Sequence, residues 1–283
     1  MRLLQTPILV SERTLNKHRQ PLRETREMNS TTEWASPLAT PELAPGEIHV
    51  WRASLSADEA TLRSLEATLA DQERERARRF IFTRDRDRYI AARGVLRDLL
   101  GKYLRRAPES IEFVYGPYGK PDIASAAPRP EIRFNLSHSH GLAVVAIGRE
   151  REVGIDVELI RPDFASEAIA KRYFSAKEID ELSKLPAELR TEGFFLCWTR
   201  KEAYIKAKGD GLQIPLDSFD VSLSPGRPAT LSSVDEPRWG IKSLAPSLIS
   251  GRHYAAAMVA EGKDWTARYF EWKKSDGAAQ AED

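Results

Sequence analysis

Cys197 is the only cysteine in this 283-residue chain. No disulfide can therefore form within it, and a lone thiol suits a reducing cytoplasm. Long apolar runs are missing too, so no segment is expected to cross a bilayer. Near the start, Leu3-Leu4 and Ile8-Leu9-Val10 are too short and interrupted for a secretory leader. Glu12, Glu24 and Glu27 argue against an organelle transit peptide, which avoids acids. The formal net charge is only +1 with 41% hydrophobic residues, which describes a soluble globular chain and nothing narrower. Zinc-ligand spacing, interleaved exposed aromatics and a recognition-helix signature are all absent, so nucleic acid ranks low as a partner. No Gly-x-Ser-x-Gly elbow surrounds Ser137-His138, and neighbours on a strand point to opposite faces, which excludes a serine-histidine nucleophile there.

What is present is a pattern that occurs twice. Residues 1–45 stand apart, with scattered Pro7, Pro21, Pro37, Pro41 and Pro45 and no sustained period, and read as a loosely held extension. From Glu47 the chain gives a strand, an Ala77-Arg78-Arg79-Phe80 segment, a long helix from about Asp87 to Leu104, Pro108 to Phe113, and strands ending at Ala143–Gly148. The same order returns as Ile155–Leu159, Ala170-Lys171-Arg172-Tyr173-Phe174, a helix around Trp198, Pro215 to Asp220, and strands ending at Tyr254–Val259. This is an internal duplication of one α+β unit. The expected boundaries are 46–151 and 152–273, with 274–283 as a tail, and a ligand cleft between the halves. Trp265 to Trp272 reads as one last alternating strand.

Two segments of the second repeat carry the chemistry. In Trp198–Leu212 the apolar residues recur at helical spacing and Gly209 stands where a helix stops. Glu202 and Lys206 then share a face, and the plain reading is an ion pair that steadies the helix by a few tenths of a kcal/mol. In Val153–Leu159, strand alternation puts Asp156 and Glu158 on one face, about 6.6 Å apart. Two such carboxylates are either a wet edge or repel each other until a cation lies between them, and Mg²⁺ is the natural guest.

The stretch Arg74–Arg106 holds twelve Lys or Arg against four acids. That excess fits a solvated basic helix or an anionic partner such as nucleic-acid phosphates. Lys120 is set in a turn by Gly119 and Pro121. Ser137 and His138 can both hydrogen-bond phosphate oxygens. His140 has no role beyond a surface turn, and Cys197 reads as core packing.

Gly154-Ile155-Asp156-Val157-Glu158 followed by Trp198-Thr199-Arg200-Lys201-Glu202-Ala203 and Lys206 resembles the paired signature of the 4'-phosphopantetheinyl transferases, in their long, pseudo-dimeric, surfactin-synthetase-activating type. Tyr118-Gly119-Lys120-Pro121, Phe134–Ser139 and Pro215–Phe219 extend the match. The resemblance implies two similar α+β subdomains about a pseudo-twofold axis. It implies Mg²⁺ on Asp156, Glu158 and Glu202, catalysis by Glu202 and Lys206, and coenzyme A held by Arg76, Arg88, Lys120, Ser137, His138 and Lys206. At Glu73, where relatives can be basic, this chain departs from the pattern. The implied reaction moves 4'-phosphopantetheine from coenzyme A to a serine of an apo carrier protein whose neighbouring helix is acidic. The enzyme would be a cytoplasmic monomer with neither membrane nor nucleic acid as partner, leaning toward secondary metabolism. The competing functions are a Mg²⁺-dependent phosphohydrolase of small nucleotides and a non-catalytic coenzyme- or nucleic-acid-binding module.

Overall fold

Leu142–Arg149 and Tyr254–Glu261 show no alternation: all but the last residue of each is buried, as in strands covered on both faces. They are the middle strands of two sheets. The computed structural model describes residues 34–36, 41–125, 131–244 and 252–274. In chain order its first half comprises β1 (Glu47–Ser54), α1 (Glu59–Ala67), α2 (Asp71–Arg78), α3 (Thr83–Leu104), β2 (Phe113–Tyr115), β3 (Pro121–Ile123), β4 (Ile132–Ser139) and β5 (Leu142–Arg149). The second half repeats the order as β6 (Val153–Leu159), α4 (Glu167–Tyr173), α5 (Ala176–Lys184), α6 (Ala187–Lys208), β7 (Asp220–Val221), β8 (Leu231–Ser232), β9 (Trp239–Leu244) and β10 (Tyr254–Glu261), followed by β11 (Thr266–Glu271). The sheets run β11-β1-β5-β4 and β6-β10-β9, so the duplication read from the sequence is an architectural one.

The layers follow from which face each strand makes apolar. Ile48, Val50, Val144 and Ala146 of the first sheet meet Val153, Ile155, Val157, Ala256 and Met258 of the second in one shared core. On its outer face the first sheet packs Trp51, Ala53, Val145 and Ile147 against Ala92, Val95, Leu96 and Leu99 of α3. The second sheet offers Ala255, Ala257 and Val259 to Ala203, Ile205 and Ala207 of α6. Helix, sheet, sheet, helix is thus the order of layers, and the described residues form one compact unit.

Two boundaries differ from the sequence reading. β11 pairs in parallel with β1, so the strand assigned to the second subdomain closes the edge of the first subdomain's sheet. Its alternation gave its conformation correctly, but pairing is a long-range choice that periodicity does not encode. The fold also begins before residue 46. Ala35 bridges Phe270, and Leu43 is 5% exposed. Residues 1–33 and 37–40 of the expected extension lie outside the described residues.

Candidate functional site

β6 and α6 build the site together. With Val153, Ile155, Val157 and Leu159 committed to the core between the sheets, Gly154, Asp156 and Glu158 must face α6. Gly154 sets the distance between the two elements. A Cβ there would fall on the carbonyl oxygen of Ala203 and the amide of Ala207, so only glycine lets the helix lie so close. The helix ends at Gly209, whose φ of 79° is the left-handed cap anticipated from the sequence. Glu202 and Lys206 are thereby laid over the strand carboxylates.

The contacts are short. Lys206 Nζ lies 2.5 Å from Asp156 Oδ1 and 3.2 Å from Ser137 Oγ. Ser137 donates to Asp156 Oδ1 at 2.8 Å, and Ser139 donates to Glu158 Oε2 at 2.7 Å. Asp156 Oδ2 is buried with no hydrogen-bond partner. Burial and the neighbouring Asp156 charge push Glu158 up to about 7. Glu202 is also pushed up to about 7, by burial and by Asp156, against the pull of Lys206. Burial alone would lower Lys206, but Asp156 and Glu202 outweigh it and hold the ammonium above its ordinary value. The cluster therefore holds more negative charge than one lysine neutralises, and a buried carboxylate oxygen stands without a donor.

Among the described residues no group of three or more His, Cys, Asp or Glu side chains is already arranged to hold a metal ion. At Asp156 the cation in place is the Lys206 ammonium. The donors are nonetheless of the right kind for a hard divalent ion: carboxylate oxygens, one of them orphaned, in a site of excess acid.

The other expected residues divide. Arg76 stacks on Tyr89 with its guanidinium carbon 5.4 Å from the ring centre. Desolvation and the like charges of Lys206, Arg76 and Arg88 lower the pKa of His138. Because its side chain is open to solvent, the charges weigh more than burial there. Arg88 in turn feels burial and the charges of Arg84 and Arg252, so basic groups gather around His138.

Lys120 and Ser137 both have partners within the chain. Lys120 Nζ donates to Glu152 Oε2 at 3.0 Å, Ala207 O at 3.1 Å and Val153 O at 3.3 Å, tying the β2–β3 hairpin to the second half. Three acceptors use all three of its hydrogens. Ser137 gives its single hydroxyl hydrogen to Asp156. Glu73 turns inward, 2.7 Å from Arg93 Nε and 2.6 Å from Arg97 Nε, which accounts for the departure from the family pattern there.

The structure also separates Lys201 from the chemistry. It is fully buried, 2.8 Å from Glu178 and 2.6 Å from the carbonyls of Leu216 and Phe219, so its role is to tie α6 to α5 and the following turn. Trp198 packs with Phe164, Tyr173 and Phe194. Cys197 is buried and its thiol pushed well up, as core packing requires. Sequence reasoning missed Asn135 and Ser139. The signal was there, in Arg133, Asn135, Ser137 and Ser139, four polar side chains at alternate positions of one strand.

A duplicated α+β fold with strand carboxylates facing a Glu–Lys helix, flanked by arginines, defines a class of phosphate-handling transferase, and the comparisons agree. Residues 152–259 match the model of the 4'-phosphopantetheinyl transferase superfamily. Residues 51–150 match that of the 4'-phosphopantetheinyl transferase N-terminal domain. The 4'-phosphopantetheinyl transferase HetI of Nostoc is 38% identical over 81% of this chain and 94% of its own length. The 4'-phosphopantetheinyl transferase Sfp of Bacillus subtilis is 35% identical over 55% of this chain and 66% of its own. The human L-aminoadipate-semialdehyde dehydrogenase-phosphopantetheinyl transferase is 33% identical over 56% of this chain and 54% of its own. The chain belongs to the 4'-phosphopantetheinyl transferase family and is a transferase.

Proposed function

We propose that this protein transfers 4'-phosphopantetheine from coenzyme A to a serine of an apo carrier protein, releasing adenosine 3',5'-bisphosphate. The observation that carries the reading is the juxtaposition of Asp156, Glu158, Glu202 and Lys206 between β6 and α6, with Arg76, Arg88 and His138 alongside. The serine oxygen attacks the β-phosphorus as the bond from that phosphorus to the bridging oxygen breaks, and the leaving bisphosphate takes the bond's electrons. Chemistry of this kind asks mainly for positioning and charge neutralisation. Lys206 neutralises the bridging oxygen. Arg76, Arg88 and His138 hold the phosphates of the coenzyme. Glu202 is the group placed to orient the serine hydroxyl and to take its proton. Asp156, Glu158 and Glu202 are the residues that would hold Mg²⁺, which supplies a Lewis acid for the pyrophosphate when bound.

Among the described residues no helix is long and apolar enough to cross a membrane. With a single, buried cysteine the chain fits the cytoplasm, where we place it as a monomer acting on a carrier whose acidic helix lies beside the acceptor serine. No relative reported above supports the hydrolase or binding-module readings. The test is mass spectrometry of an apo carrier protein incubated with this protein, Mg²⁺ and coenzyme A. A phosphopantetheine adduct that disappears with Asp156→Ala or Glu202→Ala is expected. Absence of the adduct across acyl, peptidyl and aryl carriers would refute the reading.

A further inference from the structure

Among the described residues, no strand pairs with the side of β6 turned away from β10. Its amides are met by side chains of β4: Ile155 N donates to Asn135 Oδ1 at 2.9 Å, Val157 N to Ser137 Oγ at 3.3 Å, and Leu159 N to Ser139 Oγ at 3.2 Å. An amide can only donate, so each serine oxygen is the acceptor in that bond and its one hydrogen must go elsewhere. In both cases it goes to the carboxylate one residue earlier on the same strand, Ser137 to Asp156 Oδ1 and Ser139 to Glu158 Oε2. The unit of serine, amide and preceding carboxylate occurs twice, two residues apart. Each serine is anchored on a backbone amide and aims its proton at one named oxygen. Asn135 caps an amide in the same row but follows Gly154, which offers no carboxylate.

We propose that Ser139 and Ser137 are positioning residues that each occupy one oxygen of a site carboxylate, so that Glu158 and Asp156 have only a single oxygen apiece for a divalent cation. At Asp156 the division is visible: Oδ1 is taken by Ser137 and Lys206, and Oδ2 is the buried atom with no partner. One-oxygen binding suits the small, octahedral Mg²⁺. Ca²⁺ prefers six to eight oxygens and commonly takes both from a carboxylate. The serine row would thus set the preference for Mg²⁺ over Ca²⁺. The inference rests on the metal reading above.

The test is direct binding rather than turnover: titration calorimetry of Mg²⁺ and of Ca²⁺ into the full chain in the presence of coenzyme A, with Mn²⁺ electron paramagnetic resonance as a second readout. Loss of such an outer hydrogen bond commonly weakens a metal site about 10–100-fold. Ser139→Ala should weaken Mg²⁺ by that order while Ca²⁺ changes by less than about threefold, so the preference narrows. Ser139→Thr, which keeps the hydroxyl, should retain wild-type binding and confirms that the hydroxyl is what matters where the alanine variant folds poorly. Asn135→Ala should lower the melting temperature and leave Mg²⁺ affinity unchanged. Wild-type Mg²⁺ affinity in Ser139→Ala would overturn the assignment, as would an equal loss in Asn135→Ala, which would make the effect one of general edge stability. Failure of the wild-type chain to bind Mg²⁺ at all would instead overturn the metal reading on which this rests.

Discussion

The two halves share a skeleton and differ in what is hung on it. In the first, Arg97 of α3 is buried, held at 2.6 Å by Glu73 and donating to the carbonyls of Pro108 and Ile111 at 2.9 and 3.0 Å. In the second, Lys201 of α6 is buried, held by Glu178 and donating to the carbonyls of Leu216 and Phe219. Both carboxylates are the third residue of a short helix and cap its start, accepting from Ala70 N and Ser175 N. Burial raises the pKa of both. Two arginines and a backbone amide outweigh it at Glu73 and hold it low, whereas Glu178, with the Lys201 ammonium and two backbone amides, stays above the ordinary value. A cation joining long helix, short helix and following turn is therefore how this unit is fastened, and it survives in both copies.

The next residue along each long helix is also acidic and has a lysine four residues later: Asp98 with Lys102, Glu202 with Lys206. The helices alone would not tell the copies apart. The strands do. Ile48 pairs with Gly148, and Val153 with Ala260, each the next-to-last residue of its central strand, so Trp51 and Ala53 occupy the places of Asp156 and Glu158. Trp51 and Ala53 are core residues, and Asp98 is spent accepting from Trp272 Nε1 at 2.7 Å. The outer edges diverge as well, β1 being closed by β11 and β6 being met by the side chains of β4. One copy is scaffold, and the other carries more acid than Lys206 alone neutralises, on a strand whose outer amides are met by side chains.

The largest effect should come from the buried cations. Lys201→Met leaves Glu178 with no cation and should cost about 3–5 kcal/mol in denaturant unfolding. Arg97→Met should cost less, because Arg93 still holds Glu73, and removing Arg93 and Arg97 together should bring the loss to the same order. A negligible loss from the double change would break the proposed equivalence. Next, Asp156→Ala or Glu158→Ala should lower turnover by about 100-fold or more with the far-ultraviolet circular dichroism retained. Collapse of that spectrum would mean the pair is structural. Lys206→Ala should lower the rate by at least about tenfold, while Lys102→Ala in the scaffold half should leave kcat within about twofold, and equal losses would erase the distinction.

How much of this the sequence showed depends on the range of the interaction. Asp156 and Glu158 on one strand face, and Glu202 and Lys206 on one helix face, follow from periods of 2 and 3.6 and needed no tertiary information. The fate of Lys201 did not. Its neighbour Glu202 differs from it by one helical position, and only the approach of Glu178 and the Leu216 turn makes one buried scaffold and the other a site residue. Lys120 is similar: the turn around it was legible, but not that Glu152, Val153 and Ala207 would take its hydrogens. β11 read correctly as a strand and incorrectly as part of the second half, because its pairing with β1 joins the two ends of the chain.

A further contrast is a pH dependence whose sign differs between the carboxylates of the two halves. Glu158 and Glu202 sit at about 7 in the folded protein against an ordinary 4.5, so between those values the native state binds protons that the unfolded chain has released. Stability must then fall as pH rises through that window and level off above it, the reverse of what a paired carboxylate such as Glu73 contributes. Metal-free protein should show this downward slope in its unfolding free energy. Glu202→Gln should flatten it, and saturating Mg²⁺ should remove it by favouring the ionised carboxylates. Asp98→Asn should leave the slope as it is, and a slope that survives Glu202→Gln and Glu158→Gln together would place its origin outside the β6–α6 cluster.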